Sequence, residues 1–130
     1  MTTMTADHTA FRALTSIAGA RQAARAFLEA LGQPAMEPES ADSVILVVSE
    51  LVTNAVRHGG GSYTLRLAAH PGTIEVAVED SSPHPPRMRT PDLDDGSGGF
   101  GWQMVNNLAR ATVVTPGPEG GKTVRALLPR

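Results

Sequence analysis

The stretch SELVTNAVRHG, residues Ser49–Gly59, decides the fold because it combines the apolar stripe of a buried helix with a row of polar side chains. At about 100° per residue, the stripe begins before this stretch and consists of Val44, Val48, Leu51, Val52 and Ala55. Glu50, Asn54 and His58 follow at four-residue intervals, which places them in one row on the margin of that stripe. A carboxylate and an amide at the edge of a buried surface are unfavourable without partners. The row is therefore either a solvated helix side with a Glu–Asn hydrogen bond or a magnesium site, since Mg²⁺ prefers hard oxygen ligands.

The segments around this helix predict a mixture of helices and strands. Residues 16–32 carry apolar residues at helical spacing between a candidate N-cap, Ser16, and a candidate stop, Gly32. Two segments that alternate apolar and polar residues, Tyr63–His70 and Thr73–Asp80, are joined by Pro-Gly and predict a β-hairpin. The other predicted elements are a strand over 9–13, a helix from 40 to the glycines at 59–61, a helix over 100–109, and strands over 110–116 and 122–129.

Two glycine motifs resemble phosphate-binding loops, but their surroundings do not fit. Gly96, Gly98 and Gly101 have the spacing of a dinucleotide-binding loop, yet a proline-bearing acidic stretch precedes them instead of a strand. The sequence GGKT resembles the end of a Walker A loop, but Pro116 stands where that loop needs glycine, and a strand follows Thr123 instead of a helix. The glycines before the third helix still predict an anion site, because a turn that enters a helix directs several backbone N–H groups at one point.

Composition narrows the class of protein. The chain has 130 residues, which predicts one domain over 9–130 behind a flexible polar N-terminus at 1–8. The net charge is −2 without a basic block, so we expect no direct contact with nucleic acid. There is no cysteine, no apolar run of membrane-spanning length and no signal-peptide pattern, which together predict a cytoplasmic protein without disulfides.

Four motifs in order resemble the ATP-binding boxes of the GHKL superfamily, or Bergerat fold, which includes histidine kinases and gyrase B. SELVTNAVRHG resembles the N-box, and VAVEDSSP resembles a strand that ends in an adenine-reading aspartate. GGFGWQMV resembles the glycine-rich box after the ATP lid, and GGKTVRALLP resembles the final G-x-T box. The resemblance covers about residues 40–130 and is greatest to the small anti-sigma-factor serine kinases of bacteria.

The resemblance implies a fold and a set of binding residues. The fold is an α/β (α+β) two-layer sandwich, in which a mixed, mostly antiparallel sheet carries helices on one face and an ATP lid spans about 81–97. ATP and Mg²⁺ are the implied cofactors. Asp80 would accept a hydrogen bond from the adenine 6-amino group and so exclude guanine, because a carboxylate only accepts. The other implied site residues are Glu50 as general base, Asn54 as magnesium ligand, Thr123 at the adenine edge, and Gly98, Gly99 and Gly101 at the phosphates.

The resemblance also implies a function. The chain would be an ATP/Mg²⁺-dependent serine/threonine protein kinase that binds a sigma factor and phosphorylates an anti-sigma-factor antagonist, and its relatives often form homodimers. One alternative is a non-catalytic ATP-binding module, and another is the ATPase half of a histidine kinase. Ser82 departs from the pattern, because many relatives have glycine two residues after the aspartate. His58 either caps its helix or lies near the phosphates, and Arg87 and Arg89 either meet a phosphate or partner or are solvated.

Overall fold

A computed structural model describes residues 8–14, 16–31, 36–58, 62–82, 101–117 and 120–130. The described elements, in chain order, are β1 (His8–Leu14), α1 (Ile17–Ala30), α2 (Pro38–His58), β2 (Tyr63–His70), β3 (Thr73–Asp80), α3 (Gly101–Leu108), β4 (Ala111–Pro116) and β5 (Lys122–Pro129). Every predicted helix and strand is therefore present. In the described part of the chain, no helix combines the length and the apolar character that a membrane crossing requires.

The strands form one five-stranded sheet in the order β1-β2-β3-β5-β4. All four pairings between the described strands are antiparallel. The hairpin of β2 and β3 has the predicted bounds, and its two-residue turn places Gly72 at a φ of 74°, which a residue without Cβ adopts without strain. The predicted fold class, a sandwich of helices on a mostly antiparallel sheet, is confirmed.

The first long helix begins where its capping residue predicts, whereas the second begins before its capping candidate. The Ser16 side chain accepts a hydrogen bond from the Gly19 backbone N–H and so caps α1. The second helix begins at Pro38, two residues before the predicted Ser40, because proline has the backbone angle of a first helical turn and needs no donor there. The predicted stop at Gly32 lies outside the described residues.

The core lies between the helices and one face of the sheet. All five residues of the apolar stripe on α2 are buried, as predicted, and α1 adds Ala20, Ala24 and Phe27. The sheet contributes alternate residues of each central strand to the same cluster: Leu65, Leu67, Ile74, Val76, Val78, Val124, Ala126 and Leu128. This period of two means that Tyr63 on β2, Asp80 on β3 and Lys122 on β5 also point toward the helices.

The opposite face of the sheet carries charged and small side chains. Glu75 on β3 lies 3.3 Å from His70 Nε2 and 3.3 Å from Arg125 Nε, so it links β2 and β5 across that face. At the edge, β4 leaves Val113 and Val114 exposed. Because the described helices pack on the other face, the groups that could form a nucleotide site lie on the helix side of the sheet.

Candidate functional site

The margin of α2 places Glu50 and Asn54 on successive turns, as the four-residue spacing predicts. Both side chains are half-buried. Glu50 lies against the start of α3, since a Cβ added to Gly101 would overlap Glu50 Oε2 and lie 3.1 Å from its Cδ. Two motifs that are about fifty residues apart in sequence therefore meet at one point. Gly98 and Gly99, the other glycines of that box, lie outside the described residues.

The surroundings of Glu50 favour a carboxyl group that can exchange a proton. Burial raises its pKa above the usual 4.5, while the positive charges of Arg57 and Arg21 act in the opposite direction. Arg21 is itself positioned by a 2.9 Å hydrogen bond from its Nε to Ser49 Oγ. Among the described residues, no hydrogen bond or ion pair engages the Glu50 carboxylate. A partly desolvated carboxylate without a fixed partner has the properties that a general base needs.

We expect the Glu50 carboxyl group to titrate above pH 4.5, and at still higher pH in Arg57→Gln. The substitution removes the arginine that lowers the pKa of Glu50 more, and it leaves the burial of the carboxyl group unchanged. Because the folded pKa is raised, the contribution of Glu50 to the free energy of unfolding declines as the pH rises from 4.5 through the folded pKa. Carbon-13 NMR titration of the Glu50 carboxyl carbon measures both midpoints, and Arg25→Gln on the exposed side of α1 is the control. A midpoint at or below 4.5, or one that Arg57→Gln leaves unchanged, would contradict the expectation.

Asn54 supplies an oxygen that fits a magnesium ion shared with phosphate groups. Its side chain makes no hydrogen bond within the described part of the chain, so its amide oxygen is available. The described residues contain no group of three or more His, Cys, Asp or Glu side chains that could hold a metal ion alone. Mg²⁺ keeps several waters and accepts one or two protein oxygens together with phosphates, so a single amide at this edge is sufficient.

Asp80 ends β3 on the helix side of the sheet and forms a buried ion pair. Lys122 Nζ lies 3.0 Å from Asp80 Oδ1 and 2.9 Å from Oδ2, and each side chain is only 2% exposed. The backbone N–H of Ser82 donates to Oδ1 at 2.9 Å, and Nζ also lies 3.4 Å from the Ser82 carbonyl oxygen. Asp80 therefore has the predicted place at the strand end, but its carboxylate already carries a counter-ion.

Lys122 is the buried partner of Asp80 that sequence reasoning missed. Strand β5 points Val124, Ala126 and Leu128 into the core, so the period of two also directs residue 122 inward. That alternation was the available signal. The pairing of β3 with β5 then places Lys122 directly opposite Asp80.

The strand register places Thr123 away from Asp80. Thr123 pairs with Glu79, one position away from the pair of Asp80 and Lys122. Because successive strand residues point to opposite faces, the Thr123 side chain leaves the sheet on the face away from the helices. The geometry therefore does not support a role for Thr123 at the adenine edge.

The departure at Ser82 and the glycine at 121 both concern the backbone beside Asp80. Ser82 contributes its backbone N–H to Asp80 Oδ1, a bond that does not depend on its side chain. A Cβ added to Gly121 would overlap the Asp80 carbonyl oxygen and lie 3.1 Å from Ser81 Cα. The final glycine box thus allows β5 to approach the end of β3. His58 ends α2, but its side chain lies outside the described part of the structure. Arg87 and Arg89 also lie outside the described residues.

Comparisons with known proteins identify the family and the fold. The family of histidine kinase-like ATPase domains matches residues 12–127. The crystal structure of the RsbU and RsbW domains of Rv1364c from Mycobacterium tuberculosis is similar, with a TM-score of 0.65 and 18% identity over 93% of this chain and 33% of that chain. The NMR structure of the histidine kinase domain of the E. coli osmosensor EnvZ has a TM-score of 0.50 and 24% identity over 92% of this chain and 87% of that chain. No curated protein matches in sequence.

These likenesses differ in what they establish. The chain spans about a third of the length of the mycobacterial chain in that structure, and both structures are under 25% identical, so each establishes the fold alone. The family match covers nearly the whole chain and includes Glu50, Asn54, Asp80 and Gly101. The chain belongs to the family of histidine kinase-like ATPase domains.

Proposed function

We propose that this protein is an ATP/Mg²⁺-dependent serine/threonine protein kinase of the anti-sigma-factor type. The observation that carries the proposal is the position of Glu50. Its carboxylate is partly desolvated, has a raised pKa, and lies between the margin of α2 and the start of α3. A positioned base serves phosphoryl transfer and is not needed to hold a nucleotide alone.

The described residues have distinct roles in this proposal. Asn54 would hold the magnesium ion, which neutralises charge on the phosphates when it is bound. Asp80 would receive the adenine 6-amino group through a remaining lone pair of its carboxylate. Glu50 would orient the attacking serine hydroxyl and accept its proton. In phosphoryl transfer the protein mainly positions the reactants and neutralises charge, and here the magnesium ion that Asn54 would hold supplies the neutralising charge.

The proposed partners are a sigma factor, which the protein would bind, and an antagonist protein, whose serine would receive the phosphoryl group. The four ordered motifs support this choice because they are most similar to those of small anti-sigma-factor kinases. The proposal also takes into account that the fold is similar to that of a structure that contains an RsbW domain. We further propose a cytoplasmic location and a homodimer, as the resemblance implies.

A second candidate function is a regulatory module that binds ATP without transferring phosphate. The departure at Ser82 leaves this function open, because many relatives have glycine two residues after the aspartate. Incubation with γ-labelled ATP, Mg²⁺ and a candidate antagonist separates the two functions. The kinase proposal requires label on the antagonist. Binding of ATP by calorimetry without any labelled product would establish the module instead.

We expect Gly101→Ala to slow phosphoryl transfer about ten- to a hundredfold while the protein remains folded. The added Cβ would overlap Glu50 Oε2, which is the free end of a flexible side chain and can rotate away. A misplacement of about 1 Å at a reacting group is sufficient for a loss of this size. Transfer rate and melting temperature are measured together. Gly121→Ala is the contrast, because its Cβ meets the backbone oxygen of Asp80, so overpacking lowers stability by about 1–3 kcal/mol. An unchanged rate in Gly101→Ala would contradict the position assigned to Glu50.

A further inference from the structure

The ion pair between Asp80 and Lys122 changes what the candidate purine site can recognise. A carboxylate alone offers only acceptors, so it attracts a 6-amino group and repels the 6-oxygen of hypoxanthine or guanine. Here a second group is present, since Lys122 Nζ lies within 3.0 Å of both carboxylate oxygens. The buried end of β3 therefore presents a hydrogen-bond donor beside an acceptor.

The hydrogen bonds of the pair show which positions remain available. Oδ1 of Asp80 accepts from both the Ser82 N–H and Lys122 Nζ, whereas Oδ2 accepts only from Nζ among the described residues. Oδ2 thus retains a lone pair. The ammonium has three protons, and the longest of its three contacts with described residues is the 3.4 Å contact to the Ser82 carbonyl oxygen. That proton can be redirected to a ligand while both contacts to the carboxylate are kept.

We propose that Lys122 is a specificity-determining residue, which donates directly to the edge of the bound purine and makes the site tolerant of 6-oxopurines. The proposal rests on the nucleotide-binding function proposed above. With adenine, Oδ2 accepts from the 6-amino group and Nζ donates to N1. With hypoxanthine, Nζ donates to O6 and Oδ2 accepts from the N1 proton. Lys122 can serve both arrangements because its ammonium bridges the two carboxylate oxygens on a flexible stem and has no fixed plane.

Asp80 alone would select 6-aminopurines, whereas Asp80 together with Lys122 would accept both kinds of purine. A site that leaves a buried hydrogen-bonding group unpaired rejects the wrong ligand strongly, whereas a site that pairs every group does not. With Lys122 present, both the amino-purine edge and the oxo-purine edge find partners. ATP and inosine triphosphate differ only at the 6-position and N1, so they isolate this contact from the 2-amino group of guanine.

Calorimetric titration of the unmodified protein with ATP, inosine triphosphate and 1-deaza-ATP, each with Mg²⁺, tests the proposal. We expect the dissociation constants of ATP and inosine triphosphate to lie within about tenfold of each other. We expect 1-deaza-ATP, which keeps the 6-amino group but lacks N1, to bind at least about tenfold more weakly than ATP because it loses the contact with Lys122. A preference for ATP over inosine triphosphate above about tenfold, or equal binding of ATP and 1-deaza-ATP, would overturn the proposal.

The variant Lys122→Thr provides the second arm. It removes the ammonium, so the preference for ATP over inosine triphosphate should rise at least about tenfold. Its melting curve shows whether it folds, and if it does not, the three titrations of the unmodified protein decide alone. The two proposals also fail differently. If ATP binds but inosine triphosphate does not, only the role of Lys122 is wrong. If no nucleotide binds to the folded protein, the proposed function is wrong as well.

Discussion

Replacing Glu50 with alanine is expected to abolish transfer of the γ-phosphoryl group and to leave ATP binding largely intact. The carboxylate lies beside the start of α3. Its proposed role is to accept the proton of the attacking serine, not to hold the nucleotide. Loss of a positioned general base typically lowers a rate by about a hundred- to ten-thousandfold. Transfer is measured as label on the antagonist, and binding is measured by calorimetry with ATP and Mg²⁺.

Two further variants make this result specific. Glu50→Gln keeps the size of the side chain but cannot accept a proton as a carboxylate does, so it should lose transfer as Glu50→Ala does. Glu29→Ala removes an exposed carboxylate from α1 and should transfer at the normal rate. Normal transfer in Glu50→Ala would show that the assigned role is wrong. Loss of both transfer and ATP binding would show instead that Glu50 supports the nucleotide site as a whole.

The local elements of this fold could be predicted from the sequence because their signals are local. The apolar stripe on α2 has the helical period, and all five of its residues are buried. The hairpin of β2 and β3 follows from two alternating segments and a Pro-Gly turn, and both strands have the predicted bounds. The proximity of Glu50 and Asn54 follows from the same helical period. These features depend on residues within a few turns of each other.

The pairing between distant strands could not be predicted in the same way. A motif match identified GGKT as the final box, but it did not say which of its side chains faces the helices. That depends on the register between β3 and β5, whose facing residues Asp80 and Lys122 are 42 positions apart. Shifting a strand by one residue exchanges its two faces, and this is why Thr123 was predicted at the place that Lys122 occupies. The buried residues of β5 determine which of its faces points toward the core. Only its pairing with β3 determines which residue of β3 lies opposite each residue of β5.

The second large effect is expected from Lys122→Met, which should lower the free energy of unfolding by about 3–5 kcal/mol. The substitution keeps most of the side-chain volume but leaves Asp80, with 2% of its side chain exposed, without its counter-ion. An uncompensated charge in a buried position is strongly unfavourable, because neither water nor a partner stabilises it. Urea denaturation followed by circular dichroism measures the change. The control is Arg125→Met, which removes a 39% exposed partner of Glu75 and should change stability by no more than about 1 kcal/mol.

A double variant separates the loss of the ion pair from the cost of leaving Asp80 charged and unpaired in a buried position. Asp80→Leu combined with Lys122→Met replaces both charges by apolar groups, so it should recover most of the stability that the single variant loses. If it does, the ion pair adds little net stability, and its presence at the end of β3 is explained better by ligand recognition than by folding. If the double variant is as unstable as Lys122→Met, the bridge is a structural requirement of the junction between β3 and β5. If Lys122→Met alone is as stable as the unmodified protein, the pair is not buried in solution, and Asp80 meets water or ligand without displacing a counter-ion.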